Sequence, residues 1–266
     1  GTLMIIDRAE LARQLADITE EAGRLILDIY NSDFETRSKD DSSPVTDADE
    51  KAEALILERL AALGTGIPVV AEEAVAAGEV PDIAGGRFFL VDPLDGTKEF
   101  INRNGEFTVN IALIEQTEPV AGAVHLPALG QTYWGAWPGA AWRRAVGGEP
   151  EPITVRPADH DGFVVVASRS HRDQATDDYL KDVPVLELVS AGSSLKLCRV
   201  AEGQADMYPR LGRTMEWDIA AGHAVLMAAG GKIQVIAGGD VSGEVGQPLR
   251  YGKPGFENPY FVARGG

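Results

Sequence analysis

The junction between an apolar run and a pair of acids constrains this chain more than any other feature. Residues 88–91 read Phe-Phe-Leu-Val, and residues 92–97 follow directly as Asp-Pro-Leu-Asp-Gly-Thr. The apolar run predicts a buried strand, and Asp92 and Asp95 at its mouth cannot both stay ionised without nearby cations. Gly96 and Thr97 lead into a turn or helix start, whose free backbone N–H groups favour an anion such as phosphate. The junction therefore indicates metal-assisted phosphoryl chemistry.

Charge and size exclude several classes of protein. The chain has 266 residues, with 24 Lys and Arg against 41 Asp and Glu, so its formal net charge is −17. Such a charge argues against nucleic-acid polymers and anionic membranes as partners, and no apolar run approaches the ~18 residues of an integral membrane span. The single cysteine, Cys198, excludes an internal disulfide and fits a reducing compartment. We expect a soluble, cytoplasmic protein, either a monomer or a homodimer.

Hydrophobic periodicity divides the chain into two halves. Apolar residues three and four positions apart predict two amphipathic helices, one along residues 11–29 and one along residues 48–60. Strand-like segments separated by turns follow Gly96. Beyond the turn-forming stretch at 147–152, strands alternate with helical patterns, which favours an α/β arrangement. We therefore predict an α+β metal-binding half with an antiparallel sheet at 4–147, and an α/β half at 148–266 that completes the metal site and binds the substrate.

Acidic residues from separate segments form the candidate metal ligands. Glu72 and Glu73 end one predicted strand, Asp92 and Asp95 end another, and Asp218 immediately precedes an apolar helical pattern. Oxygen ligands brought together from distant segments suit Mg²⁺, which keeps several of its waters. Each acid also has an ordinary explanation: a helix N-cap for Asp218, a turn for Asp92, and a solvated strand end for the glutamates. The joint pattern favours the metal site.

The order and spacing of these motifs resemble the inositol monophosphatase superfamily of Mg²⁺-dependent, lithium-sensitive phosphatases. The matching motifs are Glu-Glu at 72–73, Asp-Pro-Leu-Asp-Gly-Thr at 92–97, and Trp-Asp-Ile-Ala-Ala-Gly at 217–222. The segments at 42–49, 98–100, 168–171, 192–196 and 201–210 resemble its 3′(2′),5′-bisphosphate nucleotidase branch. The resemblance implies the layered α/β/α/β/α sandwich of the inositol monophosphatase and fructose-1,6-bisphosphatase type, with the metals between its halves.

The resemblance also implies roles for the acidic residues. One Mg²⁺ would be held by Glu72, Asp92 and the backbone carbonyl of Leu94, and a second by Asp92, Asp95 and Asp218. Glu73 would serve a third, more distant ion or the surroundings of the first two, so two or three ions are expected. Asp49 would pair with the Thr97 hydroxyl to orient the attacking water, and the Gly96 and Thr97 amides would bind phosphoryl oxygens. Asp47 has no assigned role.

Substrate contacts are implied for the second half of the chain. The nucleotidase resemblance places Ser193, Lys196 and Arg210 around the nucleotide and its second phosphate, and His171 near the base. Lys39, in a polar loop, would close over the site. Each also has a plain alternative, since Lys196, Lys39 and His171 could be solvated surface residues and Arg210 could form a surface ion pair.

The resemblance implies hydrolysis of the 3′-phosphate of 3′-phosphoadenosine 5′-phosphate, giving AMP and phosphate. In bacteria this activity would serve sulfate assimilation by clearing an inhibitory by-product. An inositol-1-phosphatase or sugar bisphosphatase with the same metal cluster is the alternative. A regulatory binding protein with secondary catalysis is a further alternative, from another class.

Overall fold

The computed structural model describes residues 4–32, 43–158, 161–168, 173–239, 241 and 243–266. The helices are α1 (Arg8–Ser32), α2 (Ser43–Ala62), α3 (Glu72–Ala76), α4 (Thr97–Asn102), α5 (Gln174–Leu180), α6 (Leu195–Ala201) and α7 (Glu216–Ala228), with a 3₁₀ turn at Pro254–Phe256. The first seven strands are β1 (Val69–Ala71), β2 (Arg87–Asp95), β3 (Thr108–Glu115), β4 (Glu118–Leu126), β5 (Gln131–Ala136), β6 (Ala141–Ala145) and β7 (Glu151–Ile153). The remaining strands are β8 (Phe163–Ser168), β9 (Val185–Ala191), β10 (Met207–Arg210), β11 (Lys232–Val235) and β12 (Phe261–Arg264). None of these helices is long and apolar enough to cross a membrane.

The strands form two sheets. The first has the order β1-β2-β3-β4-β5-β6-β7, and every neighbouring pair in it is antiparallel except β1 with β2. The second has the order β11-β12-β10-β8-β9, with parallel pairing of β8 to both β10 and β9. An antiparallel meander followed by a mixed sheet with helical crossovers is what the two sequence patterns predict.

Helices cover both faces of the first sheet and connect it to the second. Helices α1 and α2 pack on one face, and α7 packs on the other. The second sheet lies on the far side of α6 and α7, and the Leu180 side chain of α5 packs against its outer face. The layer order is therefore helices, sheet, helices, sheet, helix, which confirms the predicted α/β/α/β/α sandwich.

Strand β2 shows why the apolar run carries no polar residue. Phe88 and Leu90 face the core shared with α7, whereas Phe89 and Val91 face the core shared with α1 and α2. All four side chains are at most 2% exposed. Successive side chains of a strand point to opposite faces, so a strand covered on both faces needs an unbroken apolar run.

A buried carboxylate joins the first sheet to the helical layer behind it. Glu202, which follows α6, accepts hydrogen bonds from the Tyr133 hydroxyl at 2.7 Å and from Arg143 at 2.9 Å. Its other oxygen accepts a bond from Arg199 at 2.7 Å. Because its side chain is 1% exposed, these three donors replace the water that the carboxylate loses on burial.

The proposed division at residues 147 and 148 stays a prediction. Strand β7 (Glu151–Ile153) lies just beyond it and pairs with β6 of the first sheet. The helix predicted along residues 48–60 is longer than expected, because α2 already begins at Ser43. Helix α7 likewise begins at Glu216, which places Asp218 in its first turn rather than before it.

The first residue of α7 anchors a distant loop. Glu216 is fully buried and accepts hydrogen bonds from the Gly252 amide at 2.7 Å and the Lys253 amide at 3.0 Å. The Lys253 ammonium lies 3.0 Å from the same carboxylate. The start of α7, which carries Asp218, is thereby fixed against the C-terminal part of the chain.

We expect Glu216→Ala to lower the free energy of unfolding by about 3 kcal/mol, because it leaves two amides without their acceptor and removes the carboxylate that pairs with the Lys253 ammonium. Urea unfolding followed by circular dichroism measures this change. Asp178→Ala is the control, since its pair with Lys181 is exposed and should contribute less than about 1 kcal/mol. Equal losses of unfolding free energy in the two variants would contradict the role of Glu216 as an anchor.

Candidate active site

A β-bulge at the end of β2 places two acids side by side. Asp92 pairs with Asn110 of β3, and Asp95 pairs with Thr108, so three steps along β2 match two steps along β3. In a regular strand, residues three apart point to opposite faces. The extra residue turns the strand so that both carboxylates reach one place, and the bulge also accommodates Pro93, which cannot donate to the ladder.

The bulged acids meet a third carboxylate from α7. Ligand oxygens of Asp92, Asp95 and Asp218 all lie within 4.8 Å of one another. Backbone amides orient them: Leu94 donates to Asp92 at 3.1 Å, Ser194 to Asp95 at 3.0 Å, and Met215 to Asp218 at 2.8 Å. The structure therefore brings together the three aspartates that the sequence singled out, as a cluster that could hold a metal ion.

Glu72 joins this cluster from the start of α3. It lines the same cavity and shares a hydrogen bond with the Asp92 carboxyl. Burial, with the charges of Asp218 and Glu73 added, raises the pKa of Glu72 to about 7. Glu53 holds the helix start in place, because its carboxylate accepts from the Glu73 and Ala74 amides at 2.8 and 2.9 Å.

Asp49 lies near the glutamates with an unused acceptor. Its Oδ1 is buried and has no hydrogen-bond partner among the described residues. Burial, and then the negative charges of Glu72 and Glu73, raise the pKa of Asp49 to about 8. Its predicted pairing with the Thr97 hydroxyl stays a prediction. Asp47, by contrast, forms an exposed ion pair with Lys51 at 3.2 Å.

Gly96 makes the sharp turn between β2 and α4. Its φ of 93° lies in the left-handed region, and a Cβ atom there would come within 3.3 Å of Glu99, Ser193 and Phe107. Only glycine tolerates both the angle and the crowding. Thr97 follows as the first residue of α4 and lines the cavity with an exposed side chain.

Two cations line the same cavity as the acids. Lys196 of α6 is 4% exposed, and its Nζ lies 5.3 Å from the centre of the Tyr208 ring. Burial, followed by the charge of Arg210, lowers the pKa of Lys196 to about 8, against the opposing effect of Asp95. The buried Nε of Arg210 has no hydrogen-bond partner among the described residues. Lys196 is therefore not the solvated surface residue of the alternative, and Arg210 is half-buried.

A ring of buried hydroxyl and amide groups supports the loop before α6. The Ser194 hydroxyl lies 2.8 Å from the Thr108 hydroxyl and 2.6 Å from the Asn110 carbonyl oxygen, and Asn110 donates to Thr108 at 3.0 Å. All three residues are at most 2% exposed. Ser193 precedes α6 and has a φ of 53°, in the left-handed region.

The cavity that these groups line has a volume of about 690 Å³. It is lined by Glu72, Asp92, Leu94, Asp95, Gly96, Thr97, Ser193, Lys196, Arg210 and Asp218, among others. A volume of this size fits an organic ligand such as a nucleotide. Glu73 is half-buried beside the glutamate that lines the cavity, whereas the predicted contacts His171 and Lys39 lie outside the described residues.

The donor set fits a hard divalent cation. Burial, and then the neighbouring carboxylates, raise the pKa values of Asp92 and Asp95 well above the usual range. Such shifts mean that the cluster resists holding its negative charges without a counter-charge. Among the described residues, the clustered groups offer oxygen ligands and no histidine or cysteine, which matches the preference of magnesium or calcium rather than zinc.

Several residues of this site were missed at the sequence level. Glu53 lies four positions after Asp49 on α2, one helical turn away, and that spacing was a usable signal. Thr108 and Asn110 are polar residues two apart in an otherwise apolar strand, which also marks a functional face. Tyr208, beneath Lys196, has no comparable signal, because an aromatic residue in a strand is ordinary core material.

Known proteins match the chain over most of its length. The model of the inositol monophosphatase family matches residues 7–257. A protein of Salmonella typhimurium named 3′(2′),5′-bisphosphate nucleotidase CysQ is 48% identical over 225 residues, covering 84% of this chain and 89% of that protein. A protein of the same name from Escherichia coli is 43% identical over 251 residues, covering 93% and 97%.

Solved structures match as well. CysQ from Bacteroides thetaiotaomicron, described as a bacterial member of the inositol monophosphatase family, superposes with a TM-score of 0.79 at 41% identity, covering 96% of this chain and 97% of that one. An inositol monophosphatase from Anabaena superposes with a TM-score of 0.75 at 23% identity, covering 97% and 91%, and that likeness shows the fold. The family match, the fold and the three-aspartate cluster agree, and the chain belongs to the inositol monophosphatase family.

Proposed function

We propose that this chain is a Mg²⁺-dependent phosphatase that hydrolyses the 3′-phosphate of 3′-phosphoadenosine 5′-phosphate, giving AMP and phosphate. One observation carries the proposal: a single cavity is lined by a carboxylate cluster and by two cations, the buried Lys196 and the half-buried Arg210. A substrate with two phosphates needs both, the carboxylates with their metal for the phosphate that is cleaved and the cations for the phosphate that stays. The 3′(2′),5′-bisphosphate nucleotidase names of the relatives support this choice.

The proposed metal ligands are Glu72, Asp92, Asp95 and Asp218, with the backbone carbonyl of Leu94. Two Mg²⁺ ions, when bound, would supply the positive charge that activates the attacking water and stabilises the leaving oxygen. A third ion would lie near Glu73. The amides that fix the three aspartates hold these side chains in place before any ion arrives, so little reorganisation is needed.

Proton handling falls to Asp49 and Thr97 in this proposal. The buried Oδ1 of Asp49 has no partner among the residues that the structure describes, so it can accept a proton or a hydrogen bond from the attacking water. The Thr97 hydroxyl, exposed in the cavity, would orient that water. The Gly96 and Thr97 amides at the start of α4 would bind phosphoryl oxygens.

Lys196 and Arg210 would bind the phosphate that is not cleaved, with Ser193 beside the ribose. The unpartnered guanidinium Nε of Arg210 supports this role, since a buried donor without an acceptor is costly unless a ligand supplies one. His171 stays a predicted base contact and Lys39 a predicted closing residue. A cytoplasmic location and a monomeric or homodimeric state also remain predictions.

We expect Asp95→Asn to reduce Mg²⁺-dependent phosphate release by at least about 100-fold, because it removes one of three clustered carboxylates. Release of inorganic phosphate from the bisphosphate nucleotide is the measurement, with circular dichroism to verify folding. The control is Asp47→Asn, which removes a carboxylate from the exposed pair with Lys51 and should keep full activity. Unchanged activity in Asp95→Asn would disprove the catalytic assignment.

Magnesium should stabilise the folded protein independently of turnover. At a concentration about 100 times its dissociation constant, an ion that binds only the folded state adds roughly 2.7 kcal/mol, or about 5–10 °C in the melting temperature of a chain of this size. Differential scanning calorimetry with and without MgCl₂ measures the shift. Asp47→Asn should keep this rise in melting temperature and Asp95→Asn should lose most of it. Equal rises in both variants would refute the proposed metal site.

Arg210→Gln should weaken binding of the phosphate that stays on the substrate, without affecting cleavage of the other phosphate. We expect kcat/KM for 3′-phosphoadenosine 5′-phosphate to fall by about 10–100-fold, mainly through KM, because a charge-assisted contact to the retained phosphate is lost. Activity on 3′-AMP, which lacks that phosphate, should change little. Arg13→Gln, at an exposed position of α1 that does not line the cavity, serves as the control.

A panel of phosphate esters distinguishes the proposal from its alternatives. Faster cleavage of inositol 1-phosphate or a sugar bisphosphate than of the bisphosphate nucleotide would replace the substrate assignment. Equal losses of both adenosine substrates in Arg210→Gln would remove Arg210 from the recognition of the retained phosphate.

A further inference from the structure

A second cavity lies at the other end of α7, away from the acidic cluster. Its volume is about 270 Å³, and none of its lining residues lines the cavity described above. Its walls are largely apolar and come from several elements: Pro119, Trp137, Met227, Ile233, Pro248 and Leu249. Trp137 is 43% exposed, so part of its indole surface is uncovered. The space suits a ligand the size of one ring system.

One buried polar side chain lines this apolar cavity. His223 is 2% exposed, and its Nδ1 lies 2.7 Å from the Tyr251 hydroxyl. Burial, with the nearby charge of Lys253 added, lowers the pKa of His223 to about 3, so the ring is neutral at pH 7. Within the part of the chain that the structure describes, the hydrogen bond of this ring is made by Nδ1 and not by Nε2.

The hydrogen bond with Tyr251 decides which ring nitrogen carries the proton. Burial raises the pKa of the Tyr251 hydroxyl well above its usual value, so the hydroxyl keeps its proton. That proton needs an acceptor, and His223 Nδ1 is the hydroxyl's hydrogen-bond partner within the part of the chain that the structure describes. A neutral ring that accepts at Nδ1 carries its hydrogen at Nε2. His223 can therefore donate a hydrogen bond to a ligand.

The rim of the cavity is positively charged. Lys232 and Arg250 line it, and both residues are exposed. Neither forms an ion pair with a described carboxylate, and Arg250 donates only to the Thr117 hydroxyl, at 3.2 Å. One acid, Glu118, also lines the cavity, so the rim keeps an excess of one positive charge.

We propose that this cavity binds a small apolar carboxylic acid, with its ring or chain between Trp137 and Met227 and its carboxylate near His223, Lys232 and Arg250. The apolar walls provide burial, and the Nε2–H donor provides direction. A neutral donor inside and two cations at the rim favour an anionic acceptor over an ammonium or a purely apolar ligand. The cavity is separate from the proposed phosphatase site, so the two assignments stand or fall independently.

The test uses benzoate as the probe and the neutral benzamide as its matched control, with backbone amide NMR of the full chain. Benzoate should cause saturable shifts at Met227, Gly231 and Ile233. The double variant Lys232→Gln with Arg250→Gln should weaken benzoate binding by about fivefold to tenfold and leave benzamide binding unchanged. Both substitutions are at exposed positions, so the double variant should fold as the wild type does. Lys181→Gln, an exposed lysine on α5, should have no effect on either probe.

His223→Phe supplies a second measurement, because it keeps the ring volume but removes the Nε2 donor, and it should weaken binding of both probes. If that variant does not fold, the rim variant alone decides. Benzoate shifts confined to the Lys196 and Arg210 region would overturn the proposal. So would an absence of saturation at tens of millimolar, or equal benzoate affinity in the wild type and the double rim variant.

Discussion

The electrostatic repulsion among Asp92, Asp95 and Asp218 is the constraint on which the rest of the site depends. Two unit charges about 4 Å apart repel by roughly 4 kcal/mol at an effective dielectric constant of about 20, and the three ligand oxygens lie within 4.8 Å. Burial adds to that cost, as the raised pKa values of Asp92 and Asp95 show. A fold that keeps such a cluster stabilises it with backbone amides and leaves the remaining charge for a cation to neutralise.

The layers of the fold explain how this cluster can exist. Helices cover both faces of strand β2. The end of this strand lines the cavity together with residues of α6, β10 and α7. There it meets the first turn of α7, which Glu216 fixes against the loop at Gly252. The cations reach the same cavity from α6 and β10 of the other half. The cavity therefore combines acids of β2 and α7 with cations of α6 and β10, and the hydrogen bonds of Glu202 help to fix the first sheet against α6.

Much of this arrangement was predictable from the sequence, for identifiable reasons. The apolar run at 88–91 predicted a strand buried on both faces, and the acids of the 92–97 motif and of Asp218 were chosen correctly as neighbours. Asp92 and Asp95 were expected to end this strand, and β2 does end at Asp95, but the bulge between the two acids was not predicted. A bulge depends on pairing with Thr108 and Asn110, which local sequence does not reveal. Glu53, Tyr208 and Ser194 act through tertiary contacts, and the sequence analysis did not identify them.

The most direct test of the central claim is anomalous X-ray diffraction from crystals of the protein grown with Mn²⁺, which takes similar oxygen ligands to Mg²⁺. The account predicts at least one anomalous peak within coordination distance of carboxylate oxygens from Asp92, Asp95 and Asp218 together, with Glu72 at the edge of the site. An occupied Mn²⁺ site elsewhere on the protein, with no peak among the three aspartates, would contradict it.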